Sequence, residues 1–100
     1  MNIQITSRKF RAKETLKDFI KSEVTALEKY NSEILDAEVV LSFMHEKDSI
    51  KTAEVILQVP GRILKASQSS EEFEKSITGA SSKLVRQLKQ LKSKKIAAKR

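Results

Sequence analysis

Phe73, Ile77, Ala80, Leu84, Leu88 and Leu91 recur at intervals of three and four residues, and at about 100° per residue that spacing lays them along one side of a helix. A helix that is apolar on one side must rest that side on something apolar. Two other stretches supply the surface. Ala37, Val39, Leu41 and Phe43, and then Ala53, Val55, Leu57 and Val59, alternate with other residues, the period of a strand that buries one face.

The rest of the chain fills in around that pairing. Ile3 and Ile5 alternate within residues 1–6 and mark a first strand. A polar loop with an isolated Phe10 follows, expected to plug the edge of the core rather than to stack on a base. Leu16, Phe19, Ile20, Val24 and Leu27 at helical spacing predict a helix over residues 14–30. Its cap is weak, because Lys13 stands where a short polar side chain would satisfy a free N–H. The two alternating strands are read as residues 35–45 and 50–59, joined by a polar loop at Glu46–Ser49. Pro60-Gly61 turns the chain into a fourth strand over residues 62–68, with Leu64 and Ala66 inward. Ser69 or Ser70 is expected to cap the second helix, whose first turn is acidic. Gly79 inside that helix costs about 1 kcal/mol relative to alanine, which close approach to the sheet or to the first helix would explain.

The order β-α-β-β-β-α predicts an α+β fold, a four-stranded sheet with two helices packed on one face. The first two strands should be parallel across a right-handed crossover, the others joined as hairpins. The other sheet face is left open and mixed, with Val40, Ile56 and Ile63 as a small apolar patch. Residues 1–95 are read as one domain, and 96–100 as a flexible basic tail.

Charge is distributed unevenly over this frame. Lys83, Arg86, Lys89, Lys92, Lys94, Lys95, Lys99 and Arg100 follow one another with no acid among them, out of twenty Lys and Arg in the chain. The remaining twelve face thirteen Asp and Glu, so residues 1–82 carry a net charge of −1. A near-neutral body with one cationic helix attracts a polyanion to that helix. Solvated helix faces normally mix signs, and this one does not.

Catalytic chemistry has little to stand on. There is no cysteine and a single histidine, His45, read as a surface or strand-edge residue, so no thiolate or multi-imidazole metal site is available. Gly61 and Gly79 lie in different elements and cannot form a phosphate loop. No enzyme activity, metal, cofactor or small-molecule substrate is expected. No apolar run suits a signal peptide or membrane span, so a cytoplasmic protein without a membrane partner is expected. Exposed aromatics for a base-stacking sheet and a GXXG loop are both lacking.

With the elements placed, the chain resembles the short form of the ribosome hibernation-promoting factor and ribosome-associated translation inhibitor family. The opening MNIQITSRKF, the Leu27-Glu28-Lys29-Tyr30 segment, Ala37-Glu38-Val39-Val40-Leu41, Ala53-Glu54-Val55 and Leu64-Lys65-Ala66-Ser67 carry the likeness. So, most of all, does Lys83-Leu84-Val85-Arg86-Gln87-Leu88. The chain departs from the family's usual pattern at Glu72-Phe73-Glu74 and Thr78.

The resemblance implies a factor that is monomeric off the ribosome and binds the small ribosomal subunit and its ribosomal RNA near the decoding centre. It would occlude the tRNA and messenger sites and inhibit translation in stationary phase or stress. Lys83 and Arg86 are the contact candidates from the matching motif, Lys89, Lys92, Lys94 and Lys95 extend them by charge, and Arg8 and Lys65 are weaker. Ending after the basic helix, the chain is expected to need another protein to pair ribosomes. The alternatives are a stand-alone double-stranded RNA-binding module, whose β-β-β-α layout the last four elements share, and a module docking its basic helix into an acidic protein groove.

Overall fold

The computed structural model describes residues 1–44 and 47–98, with side chains described over 1–43 and 50–91. The elements are β1 (Asn2–Ser7), α1 (Glu14–Thr25), a 3-10 turn (Ala26–Lys29), β2 (Asp36–Met44), β3 (Lys47–Val59), β4 (Arg62–Ser70) and α2 (Phe73–Ala98). They form the α+β arrangement expected, with strand order β1-β2-β3-β4 in a single sheet. β1 pairs parallel to β2 with Ile3 beside Ala37 and Ile5 beside Val39. The other pairs are antiparallel, with Val39 opposite Val55 and Val55 opposite Ala66.

That register gathers the alternating apolar residues on one face. Val39, Leu41, Val55 and Leu57 lose all contact with solvent there, as do Ile20 and Val24 of α1 and Ile77, Ala80 and Leu84 of α2. Burying a side chain of the Val, Leu or Ile kind contributes about 1.5–3 kcal/mol, which is why period-2 strands and period-3.6 helices settle against each other. Thr78, one of the residues that depart from the family pattern, ties the helices together by donating its hydroxyl hydrogen bond to Glu23 of α1 at 3.2 Å.

Phe10 closes the core where the loop after β1 crosses it. Its ring stacks on Phe73 with centroids 5.1 Å apart and meets Phe43 edge-on at 5.0 Å. The plug role holds, and Lys9 at φ 65° turns the loop that delivers it. Pro60-Gly61 forms the β3–β4 turn, where Gly61 takes φ 75°, the left-handed conformation that glycine adopts without steric cost.

Three local expectations are corrected, and one lies outside the described residues. The first helix tightens at Ala26 into the 3-10 turn, which still buries Leu27. The stretch Glu46–Ser49 is not a loop throughout, because Lys47 pairs with Met44 after a register shift and β3 is extended from Lys47. Polar sequence suits the end of a long hairpin as well as it suits a loop. His45 and Glu46, and with them the expectation for the histidine, lie outside the described residues. The third correction concerns the start of α2. Ser69 and Ser70 belong to β4, and α2 opens at Phe73 with the Ser76 N–H donating to the Glu72 carbonyl at 3.1 Å. Ser70 Oγ still accepts from the Glu72 N–H, just ahead of the helix, at 3.3 Å, and it also links strand to helix. Its hydroxyl lies 2.8 Å from that of Ser76, which donates to the Lys51 carbonyl at 2.7 Å.

α2 is helical through Ala98, so Ile96–Ala98 continue it; Lys99 and Arg100 lie outside the described residues.

Candidate nucleic-acid interface

The buried stripe of α2 determines where its cations go. With Leu84 and Leu88 in the core, the helix turns Lys83, Arg86 and Lys89 outward, and all three are exposed. Successive residues in that series are three positions apart, a step of about 300° or −60° on a helix. The three therefore fan across an arc of roughly 120°, and each end of the fan meets a different neighbour.

At one end Lys83 leans towards β4. Its ammonium donates to the Ser67 carbonyl at 2.7 Å, and one turn later Gln87 donates its side-chain amide to the Lys65 carbonyl at 2.8 Å. One turn earlier stands Gly79, where a Cβ would come within 2.6 Å of Gln68 Cγ. Close approach to the sheet is thus the reason for this glycine. Gly79, Lys83 and Gln87 form an i, i+4, i+8 row that runs along β4. Four helical residues rise about 6 Å and two strand residues advance about 6.6 Å, so the row and the strand stay in step.

At the other end Lys89 leans towards the C-terminal side of α1. Its ammonium lies 5.7 Å from the centre of the Tyr30 ring, and Lys29 lies 5.8 Å from the same centre. Both are within the range of cation–π attraction. Lys29 and Tyr30 thereby join the cationic surface. The sequence reading missed them because their proximity to Lys89 depends on how α1 packs on α2.

Arg86 occupies the crest between these ends. Among the described residues its guanidinium has no hydrogen bond and no carboxylate, unlike Lys17, paired with Glu14 at 3.8 Å, or Lys75, paired with Glu72 at 3.2 Å. A planar guanidinium with five donors and no internal partner suits bidentate binding of phosphate. Lys83 has three N–H donors, of which one is spent on Ser67.

Of the remaining candidates, Lys65 and Arg8 stand apart from this surface. The side chains of Lys92, Lys94 and Lys95 lie outside the described residues. Lys65 pairs with Ile56 at a sheet position between the inward-facing Leu64 and Ala66. Its side chain therefore stands on the open face, away from the helices. Arg8 follows β1, at the sheet edge opposite β4, where its backbone N–H donates to Leu41 at 2.9 Å. The fan on α2 forms one surface, and the Lys65 side chain and Arg8 are placed away from it.

Among the described residues no three of His, Cys, Asp and Glu converge as metal ligands, and no helix is long and apolar enough to cross a membrane.

Comparison with known proteins bears on what such a fan meets. Residues 3–96 match the family model described as Sigma 54 modulation protein / S30EA ribosomal protein. A curated relative, the ribosome hibernation promotion factor of Deinococcus radiodurans, is 28% identical over 93 residues, covering 91% of this chain and 49% of the relative. The chain thus spans about half the length of that relative. Two solved structures share the fold. The Thermus thermophilus Protein Y N-terminal domain superposes with a TM-score of 0.80 at 24% identity, over 91% of this chain and 99% of that one. A ribosomal subunit interface protein from Coxiella burnetii superposes with a TM-score of 0.84 at 19% identity, over 93% and 99%.

Proposed function

The chain belongs to the Sigma 54 modulation protein / S30EA ribosomal protein family, and from that premise we propose that it binds the small ribosomal subunit through ribosomal RNA. The site is near the decoding centre. Bound there, it occludes the tRNA and messenger positions and inhibits translation in stationary phase or stress, in the cytoplasm where ribosomes are. The observation that supports this reading is the crest of α2, where Arg86 and Lys89 are exposed without a carboxylate partner among the described residues, on a helix whose other side is locked into the core.

The mechanism needs no bond making. A domain held by several phosphate contacts excludes other ligands by filling their volume, and each contact releases counterions from the RNA. Binding therefore weakens steeply with salt. The helix reads backbone charge and shape, as proteins on A-form RNA do, and no side-chain set for base readout is required.

The test is inhibition of translation in vitro by the purified chain, run with and without competing long duplex RNA. Inhibition that persists in excess duplex supports a shaped ribosomal site. Relief by duplex at the affinity of ribosomes would favour the general double-stranded RNA module, and binding that survives nuclease treatment would favour an acidic protein partner.

A further inference from the structure

β4 is an edge strand, with β3 on one side and, among the described residues, no strand on the other. Such an edge presents alternate N–H and C=O groups to any extended chain that arrives, and natural proteins block it with charged side chains, particularly lysine, or cover it. Here the carbonyls of Lys65 and Ser67 accept from side chains of α2, Gln87 at 2.8 Å and Lys83 at 2.7 Å. In a strand the N–H and C=O of a residue point to the same side, so these two residues are the ones turned outward. Both are exposed.

We propose that Lys83 and Gln87 guard a strand-pairing surface, and that the partner they hold off is β4 of a second copy of this chain. The edge is self-complementary. In an antiparallel pairing about a two-fold axis at Ala66, Lys65 falls opposite Ser67 of the copy, and each exchanges N–H and C=O hydrogen bonds with the other. The same register sets Leu64 opposite Gln68 and Arg62 opposite Ser70, so no charge sits directly across from a like charge, the arrangement that would disfavour pairing. Ile63, 56% exposed on the same edge, is apolar surface that such pairing would shelter. The guard works because Gly79 lets α2 come close enough to β4 for two side chains to reach over the edge.

This inference does not depend on ribosome binding, and its test contains no ribosome. Sedimentation velocity over a concentration series is expected to show a monomeric wild type and a Lys83→Ala/Gln87→Ala variant that dimerises as concentration rises. Lys83→Arg/Gln87→Lys, which keeps a donor at both positions, stays monomeric. Adding Ser67→Pro to the alanine pair removes an outward N–H without touching the β3 ladder and returns the monomer. A folded alanine pair that stays monomeric at every concentration overturns the proposal, and so does a wild type that already dimerises. An alanine pair that loses cooperative unfolding also counts against it, since those side chains would then hold the fold and not the edge.

Discussion

Along α2 the row Gly79, Lys83, Gln87 and the crest Arg86, Lys89 are neighbours on one helix, and the cation of the first, Lys83, stands three residues from Arg86 of the second. Their surroundings differ. The first row lies against the β4 edge, where Lys83 and Gln87 each donate to a backbone carbonyl, while among the described residues Arg86 has no hydrogen-bonding or acidic partner and Lys89 meets only an aromatic ring. Charge of one sign on one helix thus divides, among the described residues, into Lys83, which bonds to the sheet edge, and Arg86 and Lys89, which make no hydrogen bond. Composition counts the two alike, and only the position of the sheet edge tells them apart.

The comparison rests first on the stripe beneath both rows. Leu84→Ala should lower unfolding free energy by about 3 kcal/mol in urea titration, as large-to-small changes at fully buried leucines do. A much smaller loss would mean that α2 is not pinned in the orientation that separates the rows. The next effect sharpens the fold-serving row. Gly79→Ala gains about 1 kcal/mol of helix propensity but forces Gln68 aside, an overpacking cost of about 1–3 kcal/mol, so a net loss near 1 kcal/mol is expected. In a Gln68→Ala background the same substitution should become stabilising. If Gly79→Ala stabilises the unaltered chain, the close approach of helix to strand is not real.

Changes on the crest should leave stability alone and appear in binding. Arg86→Gln is expected to reduce the slope of log affinity against log salt by about 0.7–0.9, the value for one phosphate contact, with a melting temperature matching the wild type. The smallest effect belongs to a cation outside both rows. Lys75→Met breaks an exposed pair with Glu72 that is worth under about 1 kcal/mol, and should change neither stability nor binding by a clear margin.

Much of this architecture was legible from period alone. The stripe from Phe73 to Leu88 and the inward sets of β2 and β3 follow from helical and strand periods that burial then satisfies, and the strand order from one crossover followed by hairpins. Phe10 could be placed because an isolated aromatic in a polar loop has few ways to leave water. What could not be read depends on contacts between distant segments. Ser70 resembles a cap locally, yet in the fold its hydroxyl meets Ser76, whose own hydroxyl reaches Lys51. Lys83 and Arg86 resemble equal partners in one motif until β4 takes one of them. Lys29 and Tyr30 carry no signal for joining α2, because nothing in their own segment records where Lys89 will stand.

The most direct measurement is co-sedimentation with small ribosomal subunits through a sucrose gradient, comparing the wild-type chain with Arg86→Glu/Lys89→Glu and with Lys75→Glu. The wild type and Lys75→Glu should travel with the subunits, and the crest variant, folded by circular dichroism, should stay at the top of the gradient. A crest variant that travels with the subunits as fully as the wild type would contradict the assignment of RNA binding to the free side of α2.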